Sequence, residues 1–79
     1  MDITTARTII AASFRRSRPS RVVPLCEEIE TLDRSGDTAR ADEAVRTLDD
    51  LAGHYTDGRF VGGRQIAKAL RMTQANPQH

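Results

Sequence analysis

Two runs of apolar residues at helical spacing meet at Ser35-Gly36-Asp37, and the shortness of that break limits the fold more than any other feature of the sequence. Before it, Val22, Leu25, Cys26, Ile29 and Leu32 recur three and four positions apart, which lines them along one face of a helix. After it, Ala41, Ala44, Val45, Leu48, Leu51 and Ala52 form a second stripe, which Tyr55 would extend. Gly36 is suited to end the first helix in a left-handed conformation. Asp37 is suited to cap the second, where its carboxylate also meets the positive end of the helix dipole. With only Ser35-Gly36 between them, the two helices are expected to fold back as an antiparallel hairpin.

Helices are also expected on either side. Ile3, Ala6, Ile10 and Phe14 share one face of a first helix, which ends near Pro19 because the residue before a proline is pushed toward extended backbone. Ser20 is the expected N-cap of the next helix, with Pro24 close to its first turn. Periodicity stops between Gly53 and Gly63 around the turn signal Asp57-Gly58. An isolated two-stranded hairpin is marginal, so a loop with Phe60 and Val61 tucked inward is expected there. A last helix starts near Gly63, carries Ile66, Ala69, Leu70 and Met72, and is stopped by Asn76-Pro77, with fraying from about residue 75. The expectation is therefore a single all-α domain over residues 1–79. It should be a small bundle of three to four helices centred on the antiparallel helical hairpin.

Seventy-nine residues are too few for two domains that each close a core. With 38% hydrophobic residues and only Phe14, Tyr55 and Phe60 as aromatics, the core is expected to be aliphatic and thin. A thin core leaves room for a second copy, so a homodimer is one expectation. Cys26 stands alone, which excludes an internal disulfide and fits a small buried hydrophobe. No apolar run approaches the ~20 residues of a membrane span, and the N-terminus lacks a signal-peptide pattern. No membrane association and a cytoplasmic location are expected.

The net charge of +1 conceals segregation. Residues 1–25 carry +4, residues 26–58 carry −7, and residues 59–79 carry +4. Glu30 with Arg34, and Asp42 with Arg46, are acid-first pairs at spacing four, and Arg40 can reach Asp37 or Glu43 at spacing three. Glu27, Glu28, Asp33, Asp49 and Asp50 have no obvious local partner and are the candidate protein-binding acids, forming an acidic ridge that would meet a basic protein surface. Arg15, Arg16, Arg18 and Arg21, interspersed with Ser17 and Ser20, are the candidate nucleic-acid contacts, because guanidinium and hydroxyl donors suit phosphate oxygens.

Other motifs carry less. Residues 65–74 resemble the opening helix and turn of a helix-turn-helix DNA reader, but only five residues follow Gln74, too few for a recognition helix. Ser35-Gly36-Asp37 followed by Ala44 is similar to the turn of a tetratricopeptide repeat, in one imperfect copy. Gly62-Gly63 between Arg59 and Arg64 offers an anion site at a helix start, with flexible lead-in as the simpler role. His54, Tyr55 and Asp57 cluster in sequence, yet no nucleophile–base pair and no Cys/His metal spacing accompanies them. Enzymatic activity, a metal and a cofactor are not expected. The leading expectation is a non-enzymatic regulator, adaptor or inhibitor, of the kind carried by phages and mobile elements, docking on a protein partner through charged helical surfaces. The alternative is a small nucleic-acid-binding transcriptional regulator that uses the arginine segment.

Overall fold

A computed structural model describes residues 1–75. Four helices, α1 (Ile3–Arg16), α2 (Pro19–Ser35), α3 (Thr38–Ala52) and α4 (Gly63–Ala75), pack as a small bundle, with β1 (His54–Thr56) and β2 (Arg59–Val61) between α3 and α4. The radius of gyration of 11.8 Å is that of a folded chain of this length. The expected stop at Asn76-Pro77 lies outside the described residues.

The α2–α3 turn forms as the sequence requires. Gly36 has φ 79° and its N–H reaches Asp33 O, while the Asp37 side chain accepts from the Arg40 N–H. The start of α1 is capped in the same way, by the Asp2 carboxylate on the Thr5 N–H at 2.8 Å, which draws the Asp2 pKa below the ordinary carboxylate value. Helix α2 differs. It begins one residue before the expected cap, at Pro19, with Arg18 as N-cap and no side-chain capping bond. Proline's fixed φ suits the first helical position and its absent N–H costs nothing there, so Pro19 outcompetes Ser20. Pro24 is then inside the helix rather than in its first turn. Arg18 and Arg21 sit at the positive end of the α2 dipole, the unfavourable end for a cation. Substituting Arg18→Asp should therefore stabilise the fold by about 1 kcal/mol. The check is a rise in the urea midpoint at unchanged slope.

The core is aliphatic. Ile29, Leu48, Ile66 and Val22 are fully buried, joined by Ala6, Ile9, Ile10, Cys26, Ala44, Ala52, Val61, Ala69 and Leu70. Helix α1 packs chiefly on α4, and α2 lies against both α3 and α4. Ser13, also fully buried, satisfies its hydroxyl by donating to Ile9 O at 2.8 Å. Gly63 is needed where α4 meets α3, because a Cβ there would come within 2.8 Å of Val45 O.

The segment expected to be a loop is instead an antiparallel hairpin in the register His54↔Val61, Tyr55↔Phe60, Thr56↔Arg59. Asp57 and Gly58 both have positive φ (52° and 76°), the two-residue turn that matches strand twist. The small sheet survives because one face is packed on the bundle. Strand alternation sends Val61 inward at 7% exposure and turns Phe60 and Tyr55 outward, at 46% and 75%. Phe60 is therefore not tucked inward, and Tyr55 does not extend the α3 stripe, since Gly53 closes α3 with its N–H on Asp49 O.

Candidate functional site

The structure disperses the five candidate acids. Asp33, at the C-terminal end of α2, receives the Arg64 guanidinium of α4 at 2.7 Å, and the same guanidinium reaches Asp42 on α3 at 3.1 Å. The hydrogen bond that Arg64 donates to Asp33, then the one it donates to Asp42, pushes the Arg64 pKa above its ordinary value. Asp42 thus serves α4 rather than the expected Arg46. Asp49 turns toward α4 as well, and its carboxylate accepts the N–H of Gly63 at the first residue of that helix. Glu27, Glu28 and Asp50 stay exposed and without a charged partner among the described residues. Glu28 lines the outer α2–α3 seam with Leu25, Arg40 and Glu43, and Asp50 lines its other end with Arg21, Pro24 and Leu51. Neighbours in sequence project about 100° apart on a helix, so Glu27 and Glu28 diverge, as do Asp49 and Asp50.

The basic C-terminal segment is partly neutralised within the fold. Arg64 bridges the hairpin, and Arg71 lies 3.7 Å from Glu30, which also meets Arg34 at 3.4 Å. Arg40 pairs with Asp37 at 3.7 Å, as the spacing predicted. The N-terminal arginines behave differently. Arg15 and Arg16 end α1, Arg18 caps α2 and Arg21 lies in its first turn. All four are exposed, and none has an acidic partner among the described residues.

The sequence reading missed one surface. Among the described residues the large exposed hydrophobics are Met1, Tyr55 and Phe60. The Tyr55 and Phe60 rings are cross-strand neighbours with centroids 5.3 Å apart, tilted at 58°. Met1 and Phe60 line one groove with Thr5, Ile9, Arg59 and Gln65, between the start of α1, β2 and the start of α4. Phe60 is thus shared between the ring pair with Tyr55 and the groove that Met1 lines. The signal available in the sequence was the alternation His54-Tyr55-Thr56 and Arg59-Phe60-Val61 around Asp57-Gly58.

The remaining candidates do not assemble chemistry. His54 and Tyr55 leave β1 on opposite faces, so the loop trio does not converge. His54 Nδ1 lies 3.1 Å from Ala52 O and donates to it, leaving Nε2 buried without a partner among the described residues. The anion site expected before α4 is filled by the chain's own Asp49 carboxylate, and the two glycines form a packed joint rather than a flexible lead-in, with Gly63 buried. Cys26 is 3% exposed, and burial, aided by Glu27, pushes its thiol up to about 11, well away from thiolate reactivity. Among the described residues, no group of three or more His, Cys, Asp or Glu is placed to hold a metal ion. Among them also, no helix is long and apolar enough to cross a membrane. Comparison with known proteins finds no matching family model, no matching curated protein and no matching solved structure.

Proposed function

We propose that this chain is a small non-enzymatic binding protein, a cytoplasmic regulator, adaptor or inhibitor, that docks on a protein partner. The observation that carries this reading is the exposed ring pair of Tyr55 and Phe60, with Met1 and Arg59 lining the groove along Phe60. Tyrosine, phenylalanine, methionine and arginine are the residue types enriched at protein interfaces. Tyrosine in particular recurs among the few side chains that dominate binding energy. In a chain with only three aromatics, placing two side by side in solvent is a costly use of apolar surface unless something covers it. The unpaired helical charges, Glu27, Glu28 and Asp50, would then steer the encounter more than they hold the complex.

The test is capture from a lysate at low and high salt, with and without nuclease, using the native chain and two variants. Tyr55→Ala should weaken capture of the protein partner about tenfold or more. Its 75% exposure means that folding should be unaffected. Lysine at positions 27, 28 and 50 should shift the salt dependence while leaving a nuclease-resistant complex. Capture unchanged by Tyr55→Ala would remove the hairpin as the anchor. Loss of all captured protein on nuclease treatment would reject the reading itself.

A further inference from the structure

We infer that the α1–α2 junction is a second binding surface, taking the phosphodiester backbone of a nucleic acid through Arg15, Arg16, Arg18 and Arg21. Residues 3–26 contain no acid, so these four guanidiniums have no counter-charge in their own stretch of chain. Folding gives them no ion pair among the described residues either, although Asp50 lines the same groove as Arg21. The acids on α2 and α3 that accept cations are engaged by Arg34, Arg40, Arg64 and Arg71. Half of the cluster is also held against its own electrostatic interest. Arg15 and Arg16 sit in the last turn of α1, which suits a cation, but Arg18 and Arg21 face the positive end of the α2 dipole. A polyanion relieves that cost.

Phosphate suits the donor set. Arginine presents a planar fork that grips two oxygens at once, and the interspersed Ser17 and Ser20 add hydroxyl donors. Protein–nucleic acid interfaces direct this combination at the backbone. No aromatic ring belongs to the cluster for base stacking, so binding here is indifferent to sequence. Arg15 and Arg16 lie at the opposite end of the 14-residue α1 from the residues that border the hairpin groove, whereas Arg21 shares a groove with Asp50 and Leu51 near the end of α3.

The experiment is fluorescence anisotropy of the full chain with fluorescein-labelled 20-base-pair DNA duplexes of two unrelated sequences, titrated from 50 to 200 mM NaCl. Four phosphate contacts imply a log–log slope near −3.6, or a loss of affinity of about 150-fold over that range. Both duplexes should bind alike. Each single Arg→Ala change at positions 15, 16 and 18 should flatten the slope by about 0.9. The triple variant, with its helical circular dichroism retained, should lose most of the affinity, whereas Tyr55→Ala should bind DNA like the native chain. Absence of binding at 50 mM NaCl, or a slope untouched by the arginine variants, overturns the inference. Equal or tighter binding to poly-glutamate of matched charge also overturns it, by assigning the surface to an acidic protein. Because Tyr55 and the arginines are varied separately, either surface can fail without the other.

Discussion

Replacing Leu48 by Ala is expected to lower the free energy of unfolding by about 3 kcal/mol. Leu48 is fully buried in the middle of α3, it belongs to the central cluster, and its Cβ lies against Gly63 where α4 begins. The loss combines the transfer of a leucine side chain to water with the cavity left behind, which close packing by α4 keeps from collapsing. Alanine's better helix propensity returns a few tenths of a kcal/mol at most. A 79-residue chain has a total stability of about 4–12 kcal/mol, so the variant should melt much earlier and approach partial unfolding at physiological temperature. Urea denaturation followed by circular dichroism measures the difference. A loss below about 0.5 kcal/mol, the range of surface substitutions, would contradict the burial of α3 described above.

The second large effect separates two adjacent aspartates. Asp49→Ala is expected to cost about 2 kcal/mol, because the carboxylate's hydrogen bond to the Gly63 N–H is charge-assisted and partly shielded from water. The same residue closes α3 through its backbone oxygen on the Gly53 N–H and opens α4 through its side chain, so it fixes how the two helices meet around the hairpin. Asp50→Ala, one position along, should be neutral or slightly stabilising. It removes a carboxylate from the unfavourable C-terminal end of a helix and breaks no hydrogen bond. Asp49→Asn, which keeps an acceptor but not the charge, should fall between. Equal unfolding midpoints for the Asp49 and Asp50 alanine variants would deny Asp49 its capping role.

This pair illustrates why the acidic ridge was not legible as a surface. Asp33, Asp49 and Asp50 look alike in sequence as acids without a local partner. The partner of Asp33 is 31 residues away and that of Asp49 is 14 away, and both exist only once α4 has docked. Of the three, Asp50 stays exposed and without an ion pair among the described residues. The same docking decides the basic residues. Arg64 and Arg71 meet acids of the hairpin, whereas Arg15, Arg16, Arg18 and Arg21, within the acid-free stretch, pair with none among the described residues.

What the sequence determined by itself is everything set within a few residues. The stripes of α2 and α3, the left-handed stop at Gly36, the Asp37 cap, the i,i+4 pair of Glu30 and Arg34 and the all-helical bundle follow from helical period and local sterics. The tertiary structure decided what depends on two segments meeting. Tyr55 and Phe60 became an exposed pair because the inner face of a hairpin with three-residue strands found the bundle to rest on, and that support fixed the register that turns the rings outward. Arg64 was given acidic partners and the N-terminal arginines were left without them by the crossing of α4 over the α2–α3 hairpin. Local backbone preferences act over three or four residues, whereas ion pairs and exposed faces are fixed by how whole helices pack, and that packing is settled by the summed burial of the core rather than by any one residue.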